Sequence, residues 1–337
     1  MRATRSSAAP LSSLVALVGL VALVLGLGAA LTGCSQGSAG RPAAGAPAAG
    51  GVPYDVRPLL RPEKKYLGVS RPGAPHSMEP VRDWTRLVGK EPNLIAYYAA
   101  WGDGFDASGT RNAWNAGALT VVSWEPQNTT LSRIADGSTD DYLRGFAKEV
   151  RNLNLPIGIS FADEMNGDWE KWGTRGTTPK EYVRAWRHVH DVFQDVGATN
   201  VIWVWSPNII EPDTQQDLSR YYPGDGYVDW VGLVGYFTRW DPHTFDGLFG
   251  STLAEIQRFS RKPRLLLETG AMPGLHRRND VRALFEGVTA APDIVGFAWF
   301  DRKARADWRL AVSADGVAEF RRLAANDLYG FDVRRTR

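Results

Sequence analysis

Residues 65–337 predict an α/β fold of the (β/α)8 or TIM-barrel type, on three observations. Eight short segments are almost continuously apolar, as parallel strands buried on both faces are. Amphipathic segments with helical spacing lie between them. The 273 residues of this region also suit a single barrel of this kind. An open doubly wound sheet is the rival, but the glycine-rich phosphate turn typical of its first strand is absent from Tyr66–Gly73.

The strands are predicted where the apolar segments fall. They are Tyr66–Ser70, Leu94–Trp101, Leu119–Trp124, Pro156–Phe161, Val201–Ser206, Trp230–Tyr236, Arg264–Glu268 and Ile294–Phe300. Thr178-Pro179-Lys180-Glu181 is a capping box with proline at the first helical position, and it predicts the start of a long helix. Apolar residues at helical spacing after Ser138 and after Thr252 predict two more helices.

The N-terminus has the features of an export signal. Residues 1–33 join a basic start to a long apolar run that ends in small residues before Cys34, as the signal peptide of a bacterial lipoprotein does. Cys34 would then be lipidated and anchor an extracytoplasmic protein to the cell membrane. An uncleaved membrane anchor, or ordinary cleavage followed by secretion, remain alternatives. Residues 34–64, rich in Gly, Ala and Pro, predict a disordered tether before the domain at 65–337.

Composition and charge exclude several classes of function. The chain has 39 basic and 37 acidic side chains, and removal of Arg2 and Arg5 with the signal balances them, so no nucleic-acid partner is expected. A single cysteine excludes a disulfide scaffold and a cysteine zinc site. No phosphate loop, metalloprotease motif or serine-hydrolase elbow is present, so neither a metal nor an organic cofactor is expected. A monomer is the expected state.

Two glutamates follow predicted strands. Glu164 comes shortly after the fourth strand, and Glu268 ends the seventh after three leucines. In a barrel these strand ends face each other across a mouth only about 15 Å wide, where the active sites of such enzymes lie. Each glutamate taken alone could equally be a loop carboxylate or half of an ion pair. Together they suit cleavage of a glycosidic bond, in which one carboxyl protonates the leaving oxygen and the other attacks or activates water.

Aromatic residues at the strand ends point to a sugar substrate, because the apolar faces of sugar rings stack on aromatic side chains. These residues are Trp101, Trp124, Trp169, Trp172, Trp205, Tyr236 and Trp299. The alternative is that they fill the barrel and its rim, and about half of them are expected to do so.

The order of these motifs resembles glycoside hydrolase family 26. The resemblance rests on Asp163-Glu164-Met165-Asn166-Gly167-Asp168-Trp169 with Trp172-Gly173, on Tyr227–Gly232, on Glu268-Thr269-Gly270 and on Gly296–Phe300. It covers roughly residues 65–310. The family contains β-mannanases, some mixed-linkage β-glucanases and β-1,3-xylanases, and its fold is a (β/α)8 barrel.

The resemblance implies a role for each matching residue. Glu164 corresponds to the general acid/base and Glu268 to the nucleophile. Tyr236 corresponds to the tyrosine that orients the nucleophile, and Trp299 to the aromatic platform beneath the sugar being cleaved. The further substrate-binding residues implied are Trp169, Trp172, Asn166, Trp124 and Trp101.

One feature departs from the family pattern. A histidine usually precedes the acid/base, and an arginine often lies four residues before it, whereas this chain has Asp163 and Ser160 there. A carboxylate at Asp163 would disfavour ionised Glu164 and raise its pKa.

The expected function is a retaining endo-β-glycosidase acting on a β-linked polysaccharide, most simply β-1,4-mannan. The same site could instead cut mixed-linkage β-glucan, β-1,3-xylan or an exopolysaccharide. A non-catalytic sugar-binding lipoprotein on a degenerate barrel is the alternative from another class, since fold similarity does not establish activity. That alternative predicts the loss of one glutamate, and both are present.

Overall fold

The computed structural model describes residues 52–211, 214 and 217–336, and eight parallel strands of this part close into a barrel. Each strand pairs with the next along the chain, and the last pairs with the first. The strands are β1 Tyr66–Ser70, β2 Leu94–Ala100, β3 Leu119–Glu125, β4 Ile157–Phe161, β5 Val201–Trp205, β6 Trp230–Phe237, β7 Arg264–Ala271 and β8 Ile294–Phe300. The predicted barrel is confirmed, and β7 runs three residues beyond Glu268.

Helices alternate with the strands. They are α1 Arg57–Leu60, α2 Glu79–Val88, α3 Ala107–Asn115, α4 Leu131–Ala135, α5 Asp140–Leu153, α6 Pro179–Val196, α7 Ser251–Phe259, α8 Arg277–Ala290 and α9 Ala314–Ala324. The connection from β5 to β6 is different, because its described residues form only the 3-10 turns Leu218–Tyr221 and Asp225–Tyr227. A π-helical turn, Asp246–Gly250, leads into α7.

Helix α6 begins at the predicted capping box. The Thr178 hydroxyl accepts a hydrogen bond from the Glu181 amide at 3.3 Å, and the Glu181 carboxylate accepts one from the Thr178 amide at 2.9 Å. These bonds satisfy two of the amide groups that a helix start leaves open. The helix ends at Gly197, whose φ of +78° is the left-handed conformation that glycine adopts without strain.

Side chains alternate between the inside of the barrel and the layer under the helices. On β2, Leu94 and Ala96 belong to the inner cluster while Ile95 packs outward, as the period of two in a strand requires. Both layers are apolar, which is why the strands read as continuous apolar segments in the sequence.

The N-terminal ends of the strands are covered by residues that were predicted to be a tether. Leu59 of α1 is fully buried. The Tyr66 hydroxyl donates to the Leu59 carbonyl, and the Trp230 indole donates to the Leu60 carbonyl, each at 2.9 Å. A tether running to residue 64 is therefore wrong, because Leu59 and Leu60 supply apolar surface and acceptors that close this end of the barrel.

The remaining predictions for the N-terminus concern residues 1–51, which lie outside the described residues. They include the signal peptide at 1–33, Cys34 and the first part of the tether. Within the described residues, no helix has both the length and the apolar character needed to span a bilayer.

Candidate active site

A cavity of about 760 Å³ opens at the C-terminal ends of the strands. It is lined by Tyr98, Glu125, Asp163, Glu164, Asp168, Trp169, Glu170, Asn208, Glu211, Gly235, Tyr236, Thr238, Glu268, Phe300, Arg302, Lys303, Ala304, Arg305 and Trp308. The structure thus brings both predicted glutamates into one cavity. This volume lies within the range of small-molecule sites and can hold a few sugar rings.

Glu164 sits in a tight turn after β4. Its φ is +53° and that of Ala162 is +50°, so two residues other than glycine adopt the left-handed conformation around Asp163. The turn is fixed by the Glu164 amide, which donates to the Ser206 carbonyl at 2.8 Å. Left-handed residues of this kind cost on the order of 1–3 kcal/mol each and cluster at functional sites.

Two polar side chains hold the Glu164 carboxylate. The Asn208 amide donates to its Oε1 at 2.5 Å, and the Trp169 indole donates to its Oε2 at 3.3 Å. Asn208 is held in turn by the side chain of Asn166. This side chain accepts a hydrogen bond from the Asn208 backbone N–H at 2.8 Å and donates one to the Asn208 backbone carbonyl at 2.9 Å. The prediction that Asn166 binds substrate is therefore wrong. Asn166 is buried and acts on the site through Asn208.

Glu268 reaches the cavity because β7 is irregular at this position. Leu265 and Leu267 face the barrel interior and Leu266 faces outward, so strict alternation would turn Glu268 outward as well. Pairing with β6 and with β8 shifts register beside Glu268. A β-bulge of this type redirects a side chain, and here it points a carboxylate toward the barrel mouth.

Two tyrosines from opposite strands of the barrel donate hydrogen bonds to the Glu268 carboxylate. Tyr236, on β6, donates its hydroxyl to Oε1, as the resemblance led us to expect for that residue. Tyr98, on β2, donates to Oε2 and was missed by the sequence analysis. Its signal was available, because Tyr98 follows Leu94 and Ala96 at the strand period and so faces inward.

Burial raises the pKa of both glutamates, and the two differ in the groups that oppose this rise. Burial, and then the charge of Glu268, raise the pKa of Glu164 to about 7, although the Asn208 and Trp169 hydrogen bonds act in the opposite direction. Burial also raises the pKa of Glu268, against the hydrogen bonds from Tyr236 and Tyr98 that stabilise its ionised form. Glu164 is therefore protonated to a large extent near neutral pH. The hydroxyls of Tyr98 and Tyr236, by contrast, favour the ionised form of Glu268.

Asp163 lines the same cavity, but its surroundings disfavour the charged carboxylate that the sequence suggested. It is buried, and burial and the charge of Glu268 raise the pKa of Glu164. Burial and three neighbouring carboxyls raise the pKa of Asp163 itself well above its usual range. A protonated Asp163 carries no charge, so the raised pKa of Asp163 argues against the expected effect of an Asp163 charge on Glu164, which stays a prediction.

Two of the seven aromatics that the sequence singled out line the cavity, namely Trp169 and Tyr236. Two further aromatics, Phe300 and Trp308, complete the apolar part of the wall. The ring of Trp308 lies against that of Tyr236, with centroids 4.4 Å apart. Trp308 lies beyond β8 in a loop, where the strand pattern gave no indication of it.

Four tryptophans predicted to bind sugar are in the core instead. Trp299 is fully buried behind Trp308, and its indole donates to the Trp308 carbonyl at 3.0 Å. Trp101 stacks on Trp124, which stacks on Phe146. Trp172 is buried, and its indole donates to the Asp163 carbonyl at 2.6 Å. These predictions are wrong because the residues face the outer layer or the loop interior, where no sugar ring can reach them.

The loop after β8 carries basic side chains to the cavity. Arg302 lies over the Tyr98 ring at 4.9 Å, and Arg305 lies over the Trp169 ring at 5.6 Å. Both favour ionised carboxyls nearby: Arg302 lowers the pKa of Glu268, and Arg305 lowers that of Glu164. Within the described part of the chain, no group of three or more His, Cys, Asp or Glu side chains is arranged to hold a metal ion.

A (β/α)8 barrel with two such glutamates and aromatic walls at the C-terminal ends of its strands is the arrangement that glycoside hydrolysis requires. Comparison with known proteins finds a similarity to one family of this kind. The model of glycosyl hydrolase family 26 matches residues 121–262, which run from β3 to just before β7. This part of the barrel domain is therefore similar to glycosyl hydrolase family 26.

Relatives with known names support the assignment. Endoglucanase H of Acetivibrio thermocellus is 25% identical over 265 residues, which are 74% of this chain and 29% of that protein. A mannan endo-1,4-beta-mannosidase of Bacillus subtilis is 31% identical over 159 residues, which are 45% of this chain and 38% of that protein. The match thus spans about a third of the length of each relative.

The fold also matches solved structures of the family. The catalytic domain of the Bacillus sp. JAMB-750 endo-beta-1,4-mannanase aligns with a TM-score of 0.65 over 82% of this chain and 90% of that one, at 18% identity. At this identity the likeness concerns the barrel fold.

Proposed function

We propose that this protein is a retaining endo-β-glycosidase that hydrolyses β-1,4-mannan. The observation that carries the proposal is the pairing of Glu164 and Glu268 in one cavity, each with its own hydrogen-bond partners. Two carboxyl groups whose environments favour different protonation states are the chemical requirement of glycoside hydrolysis. The names of the family relatives, a mannosidase and an endoglucanase, support a β-linked glycan as substrate.

The first step forms a glycosyl-enzyme. The Glu268 carboxylate attacks the anomeric carbon while the bond from that carbon to the leaving oxygen breaks. Glu164, whose pKa of about 7 keeps much of it protonated at neutral pH, gives its proton to the leaving oxygen. Tyr98 and Tyr236 hold the attacking carboxylate and set its orientation.

The second step releases the sugar. Glu164, now ionised, takes a proton from water, whose oxygen attacks the anomeric carbon and displaces Glu268. Two inversions at this carbon restore the β configuration. Trp169 and Trp308 line the cavity and offer aromatic rings against which sugars can stack.

The substrate is tested by a parallel assay of polymers. We would measure reducing-end release by residues 35–337 from unsubstituted mannan, glucomannan, lichenan and β-1,3-xylan. Glu268→Ala serves as the inactive variant, and Glu286→Ala, at an exposed site on α8, serves as a matched control. Cleavage of mannan that the first variant loses and the second keeps supports the proposal. Preference for lichenan or β-1,3-xylan would mean that the substrate is mixed-linkage β-glucan or β-1,3-xylan instead of mannan. No cleavage of any polymer would contradict the proposal.

We further propose that the mature protein is a monomeric lipoprotein outside the cytoplasm, anchored by a lipid on Cys34. The support is the sequence of residues 1–34 and the large polymeric substrate, which is met outside the cell. Cys34→Ser expressed in a bacterial host should move the protein from the membrane fraction to the soluble or secreted fraction. Retention in the membrane by this variant would contradict lipid anchoring.

A further inference from the structure

The Asp163 carboxyl is a buried polar group that the proposed mechanism does not use. It lies in the cavity wall next to Glu164, with 5% of the residue exposed. Its Oδ1 has no hydrogen-bond partner among the described residues. A buried polar atom without a partner is uncommon in folded proteins, and this one belongs to a residue that lines the cavity.

The surroundings of Asp163 are acidic. Glu125, Glu164 and Glu268 share the cavity with it, and all three disfavour its ionised form. No cation within the described chain forms an ion pair with it, although Arg302 and Arg305 belong to the same cavity. A carboxylate buried without a paired cation takes up a proton rather than remaining charged. The direction of its pKa, well above the ordinary value, agrees with this argument.

The position of Asp163 is fixed by its backbone. The Trp172 indole donates to the Asp163 carbonyl, and left-handed residues stand on both sides at Ala162 and Glu164. The backbone that carries the side chain is therefore held in place before any ligand arrives. Binding to a group on a fixed backbone costs less entropy than binding to one on a mobile loop.

We propose that Asp163, as a neutral carboxylic acid, hydrogen-bonds a hydroxyl group of the sugar bound at the cleavage site. This inference rests on the proposed function and names a substrate contact within it. A protonated carboxyl offers one donor and one acceptor, and a sugar hydroxyl offers the same pair. A carboxylic acid kept neutral by its site so that it can donate a hydrogen bond has precedent in enzymes. The residue contributes a specific contact to a neutral sugar and adds no charge beside the acid/base.

Two substitutions distinguish this role from a charge effect on Glu164. Asp163→Asn keeps a donor and an acceptor in nearly the same shape, and Asp163→Ala removes both. On the polymer that the wild type cleaves, we expect kcat/KM of Asp163→Asn to remain within about 3-fold, because the pair of contacts survives. We expect Asp163→Ala to lose about 10- to 100-fold, the range for a lost hydrogen bond to a buried partner. Thermal unfolding of both variants separates this loss from a failure to fold.

The pH profile gives the second measurement. If Asp163 is neutral, Asp163→Asn leaves the basic limb of kcat/KM where the wild type has it. A basic limb that moves to lower pH in Asp163→Asn would show that an ionised Asp163 had been raising the pKa of Glu164, and would overturn the proposal. Wild-type rates in a folded Asp163→Ala would also overturn it. A wild type inactive on every polymer would instead count against the proposed function.

A panel of monodeoxy β-mannobiosides with an aryl leaving group identifies the hydroxyl. One deoxy position should lower kcat/KM strongly in the wild type and hardly at all in Asp163→Ala, because the two changes remove the same hydrogen bond. Additive losses at every position would contradict direct contact.

Discussion

At the scale of single residues, the two glutamates are both buried and differ in their partners. Glu268 accepts hydrogen bonds from two hydroxyls, and Glu164 accepts them from an amide and an indole. Each partner stabilises the ionised carboxylate, so each lowers the pKa of the group that it contacts. The difference in pKa between Glu268 and Glu164 can thus be changed by substituting the residues that donate to them.

The double variant Tyr98→Phe/Tyr236→Phe should move the acidic limb of kcat/KM to higher pH. Without the two hydroxyls the pKa of Glu268 rises, and activity is lost as pH falls through a higher value because the nucleophile must be ionised. Tyr97→Phe is the matched control, since Tyr97 packs in the outer layer beside Tyr98. An acidic limb that stays in place in the double variant would show that the tyrosines do not tune the nucleophile.

Asn208→Ala should move the basic limb in the same direction. The wild type is expected to lose activity as pH rises through about 7, where Glu164 ionises. Loss of the Asn208 amide removes a group that stabilises the carboxylate, so the pKa of Glu164 rises and activity extends to higher pH. The measurement is the pH dependence of kcat/KM between pH 4 and 9. A basic limb that moves to lower pH would contradict the assignment of Glu164 as the acid.

At the scale of elements, strand register decides which side chains meet the substrate. The bulge in β7 directs Glu268 inward. Regular alternation on β3 places Trp124 in the outer layer, so the next residue, Glu125, lines the cavity. The same alternation on β8 buries Trp299. Helices contribute stability to this arrangement and none of the cavity side chains.

Thr178→Ala should therefore destabilise the fold without changing catalysis. Loss of the capping box at the start of α6 costs about 1 kcal/mol of unfolding free energy. Urea unfolding measures this change, and Thr177→Ala is the neighbouring control because its side chain does not cap the helix. Equal stability of the two variants would mean that the cap contributes nothing measurable, and a changed kcat/KM would mean that α6 influences the site.

At the scale of the whole molecule, the barrel formed by the described residues has the candidate active site at one end and an apolar closure at the other. Carboxyls, aromatics and basic side chains gather at the C-terminal ends of the strands. The other end is closed by residues on either side of the barrel in sequence, with Leu59 and Val333 in the inner cluster. This division predicts that changes at the closed end alter stability and leave the chemistry intact.

A chain that starts at residue 65 should melt at lower temperature than one that starts at residue 52. The shorter chain exposes apolar surface under the barrel and removes the carbonyls that accept from Tyr66 and Trp230. Each buried donor left open costs on the order of 1–3 kcal/mol. Thermal unfolding and kcat per folded molecule are the two measurements. An unchanged melting temperature would contradict a structural role for residues 52–64.

Much of the fold could be predicted from the sequence, because eight apolar segments at regular spacing leave few architectures open. Glu164 and Glu268 were also predictable as a pair, since charged residues that follow two apolar strands meet at the barrel mouth, although the bulge that turns Glu268 inward was not predictable. Asn166 and Trp172, in the loop after β4, and Trp101, just past β2, were misjudged because no periodicity describes those positions. Trp299 and Trp124 were misjudged for another reason. When both faces of a strand are apolar, the sequence does not show which face is inside, and register or a bulge decides it. Trp308 lies in a loop that no periodicity describes.

The central claim is that Glu268 and Glu164 carry out a double displacement. The most direct test is proton NMR of the anomeric signals during the first minutes of hydrolysis, on the polymer or oligosaccharide that the wild type cleaves. The proposed mechanism predicts that the β-anomer appears first and that the α-anomer grows only by mutarotation. Initial formation of the α-anomer would mean a single displacement by water, and would contradict the role of Glu268 as nucleophile.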